Sequence, residues 1–209
     1  MPWGGARRLP RAPSEVLTDC ACRRLVHAVE QAAREGKPMT HRYDISWEHA
    51  GVAEKDVTAA TRAFLKRAAD WMGPYDGKLY WIYVHERGET HGAHVHMLLH
   101  LRPDLATYFR KAARRWIRSI LPGGRNVKGT LKVQVLRGAM TPDEVSNDLY
   151  RSDLYGRVHY MLKHGSPITE VALGLHRFAF PGTTWGRRST VYGRRAGWWQ
   201  ERTIRNAAK

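Results

Sequence analysis

His94 and His96, separated by Val95 within the stretch His91 to His100, are the residues of this chain best placed to do chemistry. Side chains alternate along a strand, so two histidines flanking one apolar residue share a face while Val95 turns toward the core. Two imidazoles on one face can hold a divalent cation between them. The preceding run from Leu79 to Arg87 is apolar and aromatic, and Gly88-Glu-Thr-His-Gly92 has turn composition, so the two segments read as a hairpin. Antiparallel partners keep a constant index sum, and a turn centred near Thr90 sets Glu86 opposite His94, on the histidine face. Two imidazoles and a carboxylate make an open ligand set for Mg²⁺ or Mn²⁺, with positions left for a substrate oxygen; zinc would accept the same ligands. His85 falls on the opposite face, His91 lies in the turn, and His100 sits about two residue pairs from the cluster. All three are expected to be structural.

The elements that must position this group follow from period and punctuation. Residues 1–13, with five Pro and Gly residues among arginines, read as a flexible basic arm. Ser14 is placed to cap a helix running to about Gly36, and His41 to Trp47 alternates as a first strand. A second helix is expected from about Ala53 to Trp71 along Val57, Ala60, Phe64, Ala68 and Trp71. A third, from Asp104 to Leu121, turns Leu105, Phe109, Ala112, Trp116 and Ile120 inward, and Leu131 to Leu136 alternates as another strand. Thr141-Pro-Asp-Glu144 is a capping box opening a helical region to about His164, which Gly156 is expected to divide and Gly165-Ser-Pro167 to end. The remainder, from Ile168, reads as irregular. Strand, helix, hairpin, helix, strand, helix describes an α+β fold, a central antiparallel sheet flanked by helices.

The 209 residues carry 35 Lys and Arg against 19 Asp and Glu, a formal charge of +16. That surplus points to a polyanionic partner, nucleic acid foremost. Cys20 and Cys22 stand too close for an unstrained bridge, so the cysteine usage suits a reducing cytosol. No apolar run is long enough to span a bilayer, so a soluble intracellular protein with no membrane partner is expected.

Glu86-Arg-Gly followed by His94-Val-His96-Met-Leu-Leu resembles the second motif of the HUH endonuclease superfamily, which includes rolling-circle replication initiators, relaxases and single-strand transposases. Tyr160-Met-Leu-Lys163 resembles the third motif of the initiators, a nucleophilic tyrosine with lysine one turn later. The strand His41–Trp47 stands where a first motif would fall, though its sequence matches poorly. The order histidines then tyrosine argues against relaxases, whose tyrosine precedes the histidines. Tyr155 lies five residues from Tyr160, about 140° around a helix, so a single-tyrosine enzyme fits better than a paired one. The resemblance covers residues 39–165. It implies an HUH/Rep nuclease-like domain of RRM-related topology there, between an arm and helix (1–38) and a basic, aromatic C-terminal extension (166–209).

What the resemblance implies is a site-specific single-stranded DNA nicking and joining enzyme that starts rolling-circle replication of a plasmid or phage in the bacterial cytoplasm. Tyr160 would attack the phosphodiester, forming a 5′-phosphotyrosine adduct and a free 3′-OH. Lys163 would favour the phenolate, and Mg²⁺ or Mn²⁺ on Glu86, His94 and His96 would polarise the phosphate. A phenol with pKa near 10 is only about 0.1% ionised at neutral pH, so such help is needed. Tyr150 and Tyr155 are the reserve nucleophiles. Candidate DNA contacts are Arg110, Lys111, Arg114, Arg115 and Arg118 on the third helix, and Arg187, Arg188, Arg194 and Arg195 among the C-terminal aromatics Trp185, Tyr192, Trp198 and Trp199. No GxxxxGK[ST] loop is present, so unwinding would fall to a host helicase. The alternatives are a single-strand transposase and a non-catalytic nucleic-acid-binding protein whose histidines hold structural zinc or nothing.

Overall fold

The hairpin that carries the histidines is the centre of the sheet. In the computed structural model, which describes residues 13–89, 92–139 and 148–200, strand β2 (Trp81–Gly88) pairs antiparallel with β3 (Gly92–Leu99), and Glu86 stands opposite His94. The expected arm at 1–12, the turn residue His91 and the capping box at Thr141–Glu144 lie outside the described residues. Gly92 enters β3 at φ 60°, and a Cβ there would come within 2.6 Å of the Glu48 carboxylate. Only glycine fits that corner, where Glu48 Oε2 accepts the Ala93 N–H at 2.6 Å.

Strand β1 (His41–Ile45) pairs with the other side of β3, and β4 (Leu131–Val135) and β5 (Ala196–Trp198) form the edges. The strand order is β4-β1-β3-β2-β5, with every pair antiparallel. Pairing fixes which residues share a face. Arg42, Asp44, Ile82, Val84, Glu86, His94, His96 and Leu98 line one side; His41, Tyr43, Ile45, Tyr83, His85, Val95 and Met97 line the other.

Helices α2 (Val57–Asp76) and α3 (Pro103–Ile120) cover the second face. Their apolar stripes meet in an aromatic core: Phe109 packs edge-on to Tyr43 at 5.7 Å and to Trp71 at 5.5 Å, and Phe64 lies 6.0 Å from Trp116. Helix α1 (Asp19–Arg34) and helix α4 (Asp148–Met161) lie on the first face. There Trp199 Nε1 donates to the Ala28 carbonyl of α1, and the Tyr160 ring of α4 rests against His96.

Several boundaries differ from expectation. Thr18, not Ser14, caps α1, its hydroxyl accepting the Ala21 N–H; Ser14 instead bridges to Val191. Strand β1 stops at Ile45, because the chain turns just beyond it, where the Ala50 and Val52 N–H groups bond back to the Trp47 carbonyl. Helix α2 starts after a 3₁₀ turn at Glu54–Asp56 and runs past Trp71 to Asp76. Gly156 does not divide α4. A Cβ there would lie 3.0 Å from the Phe180 ring, so the glycine serves close packing. The chain beyond Ile168 is not irregular throughout: Pro167–Ala172 forms α5, capped by Ser166, and Ala196–Trp198 completes the sheet.

His85 is held by groups that dictate its charge. Its Nδ1 donates to the Arg194 carbonyl at 2.6 Å, and its Nε2 accepts from Thr61, whose hydroxyl oxygen accepts from Trp47 Nε1. A carbonyl cannot donate, so the ring carries a proton on Nδ1, and both nitrogens are used. Burial pushes both His85 and His41 down to about 4. The unfolded chain takes up these protons below about pH 6.5 while the folded chain refuses them, so stability falls as pH drops from 6.5 toward 4. Denaturant unfolding at pH 7 and pH 5 is expected to differ by about 2 kcal/mol for each of the two residues. A flat profile over that window would show that neither histidine is held neutral.

Candidate active site

Four elements converge at the hairpin end of the first sheet face. Strands β2 and β3 supply Glu86, His94 and His96, whose ligand atoms all lie within 4.8 Å of one another. The two Nε2 atoms are 3.2 Å apart, and Glu86 Oε2 stands 3.3 Å from His96 Nε2 and 3.9 Å from His94 Nε2. His94 Nδ1 contacts the Gly92 carbonyl at 2.8 Å, which only accepts, so this ring carries its proton on Nδ1 and turns the Nε2 lone pair to the group. His96 Nδ1 stands 2.6 Å from the Asp44 carboxylate and 3.2 Å from Arg42 Nη2, and its Nε2 faces Glu86. Two imidazole nitrogens and a carboxylate oxygen pointed at one spot suit a cation, so the donor set fits a divalent metal.

Strand β1 contributes what the sequence reading missed. Asp44 is paired directly with His96 across β1 and β3, and its carboxylate is bridged to Arg42 Nε at 2.8 Å. Burial pushes the Asp44 carboxyl up, but the hydrogen bond and charge of His96, with Arg42, hold it down at about 2. Asp44 thus stays ionised and orients the His96 ring. Asp44→Ala is expected to weaken Mn²⁺ binding by about 10- to 100-fold while leaving the fold intact, measured by calorimetric titration and circular dichroism. Unchanged affinity would remove Asp44 from the site.

Helix α4 brings the third part. Tyr160 is half-buried, its ring centroid 5.4 Å from that of His96, with the Arg42 guanidinium 5.2 Å and the Lys163 ammonium 3.7 Å from the ring centre. The helix ends at Met161, earlier than expected, and the turn that follows carries Lys163 and His164 down to Glu86. Lys163 Nζ donates to Glu86 Oε2, and His164 Nε2 stands 3.6 Å from Oε1. Burial would raise the Glu86 carboxyl, but His164, His96 and Lys163 together hold it far below the usual carboxylate range. Burial, with His96 beside it, lowers His94 to about 4, so its lone pair is present at neutral pH.

Of the expected DNA contacts, Arg187 lies next to this site, its carbonyl 2.8 Å from His164 Nδ1, while others are placed elsewhere or used by the fold. Arg110, Lys111, Arg114, Arg115 and Arg118 are exposed, but α3 packs on the opposite face of the sheet. Arg195 is buried and bonded to Ser14 and the Ser189 carbonyl, so it is spent on the fold. Arg194 donates to the Ala196 carbonyl and lies over Trp198. Trp185, Trp198 and Trp199 are buried, which removes them as stacking surfaces, whereas Arg187 and Arg188 remain exposed. His100, as expected, is structural, with Nδ1 on the Pro38 carbonyl.

No protein-family model matches this chain, and no curated protein matches it by sequence. Among solved structures, it is similar to the N-terminal nuclease domain of non-structural protein-1 of minute virus of mice. That domain is described as having Zn²⁺ coordination in its active-site pocket and a mode of DNA recognition at the origin of replication. The similarity covers 64% of this chain and 70% of that one, at 10% identity and a TM-score of 0.31, too low to bear on function. Among the described residues no helix is long and apolar enough to cross a membrane.

Proposed function

We propose that the protein is a metal-dependent single-stranded DNA endonuclease and strand transferase of the rolling-circle initiator type, with Tyr160 as nucleophile. The observation that carries this reading is the placement of the Tyr160 ring against His96, beside the Glu86–His94–His96 group and with two cations against the ring. A tyrosine packed merely for stability has no need of a three-ligand group at its edge.

In this reading Arg42 and Lys163 lie against the Tyr160 ring, placed to offset negative charge at the reacting phosphate as the phenol oxygen gives up its proton and attacks. The Tyr160 oxygen attacks phosphorus; the bond to the 3′-oxygen breaks, and that oxygen leaves as a 3′-OH after taking up a proton. The 5′-phosphate stays on Tyr160, so the phosphodiester energy is kept for rejoining. Mg²⁺ or Mn²⁺ held by Glu86, His94 and His96 would supply Lewis-acid polarisation of a phosphate oxygen. Asp44 fixes the His96 ring, and Glu48 fixes the hairpin that carries both histidines. The substrate in this proposal is single-stranded origin DNA, and unwinding is left to a host helicase.

The test is covalent capture. Labelled single-stranded DNA carrying the candidate origin is incubated with the protein and Mn²⁺, and SDS-resistant adduct is measured with and without chelator. Adduct that requires Mn²⁺ and maps to Tyr160 supports the proposal. Cleavage without any covalent intermediate overturns it.

A further inference from the structure

Glu86 is crowded by positive and lone-pair groups in an uneven way. Its Oε2 is the oxygen that faces His96 and His94, and it is also the oxygen that accepts from Lys163 Nζ. Oε1 faces His164 at 3.6 Å, and His164 is fixed by its Nδ1 on the Arg187 carbonyl at 2.8 Å. Lys163 is 2% exposed and also lies against the Tyr160 ring.

A divalent cation among the three ligands needs Oε2, and so does the ammonium. Holding both on one oxygen would press like charges together where little water screens them. We propose that Lys163 competes with the metal for Glu86 Oε2: it neutralises the carboxylate in the metal-free protein and is released to face Tyr160 alone when a cation is held. This rests on the metal reading of the site given above. His164 stands 3.6 Å from Oε1 and stays beside Glu86 through the exchange. The consequence is that the lysine is given to the nucleophile only when metal is present, which ties the two halves of the site together.

The experiment is calorimetric titration of Mn²⁺ into the full-length protein without DNA, for wild type, Lys163→Gln and Lys163→Arg. Removing the competitor is expected to tighten Mn²⁺ binding about tenfold or more, while Lys163→Arg, which keeps the charge, stays within about threefold of wild type. Equal or weaker binding by Lys163→Gln overturns the competition and leaves the metal reading standing. No Mn²⁺ binding by either the wild type or Lys163→Gln overturns the metal reading itself, and the competition with it. Should Lys163→Gln fail to fold, a crystal structure of the wild type with Mn²⁺ decides. Lys163 Nζ out of hydrogen-bond reach of Glu86 supports the proposal, and Nζ still on Oε2 beside the bound ion overturns it.

Discussion

Tyr160→Phe is expected to lower the yield of SDS-resistant DNA adduct by about 10⁴-fold or more, with Mn²⁺ affinity and unfolding midpoint near wild type. The magnitude is that of removing a nucleophile outright. The unchanged fold follows from the contacts, which are made by the ring: His96 against its edge, Arg42 and Lys163 toward its face. Phenylalanine keeps all three. No other tyrosine nearby can take over. Tyr150 donates its hydroxyl to the Met39 carbonyl, and burial pushes its phenol well above the usual range. Tyr155 is stacked on Phe178 at 5.2 Å, and burial raises its phenol too. An adduct persisting at wild-type yield in Tyr160→Phe would place the nucleophile elsewhere and sink the assignment.

Replacing His94 and His96 together by alanine is expected to abolish Mn²⁺ binding in calorimetry and to lower adduct formation by about 10³-fold. Glu86 alone cannot hold a divalent ion against its own contact with Lys163. The single variants should differ in stability. His96→Ala strips the Asp44 carboxylate of its partner at 2.6 Å in a buried setting, leaving only Arg42, and is expected to cost on the order of 1–2 kcal/mol. His94→Ala removes a contact to the Gly92 carbonyl next to the hairpin turn and should cost less. Denaturant unfolding of both single variants checks the order, and intact Mn²⁺-dependent cleavage in the double variant would rule out the metal group.

The hairpin was legible because its two strands are joined by a short turn, and parity across such a turn leaves one choice of register. Asp44 was not. Strands β1 and β3 are separated by α2 and β2, so no index sum relates Asp44 to His96, although its even position between Tyr43 and Ile45 marked it as facing away from the core. His164 was hidden for a different reason: the helix was expected to reach it, whereas α4 unwinds after Met161 and the turn points His164 at Glu86. For the α3 stripe, periodicity told that five cations are exposed but could not tell on which side of the sheet. At the C-terminus, composition pointed to a surface of cations and aromatics, whereas Trp185, Trp198 and Trp199 are buried against the fold.

The strand that bears Glu86 is completed from far downstream in the sequence. Ile82 and Val84 pair with Trp198 and Ala196, and the His85 N–H and ring bind the carbonyls of Arg195 and Arg194. During synthesis, then, β2 remains an open edge long after its own residues have left the ribosome. Contacts this distant in sequence slow folding, and an unpaired edge is the surface on which nascent chains stick to one another. Docking of β5 is therefore a late step for this sheet. A nascent chain can make the hairpin early, but the strand holding Glu86 gains its outer neighbour only after β5 has been synthesised.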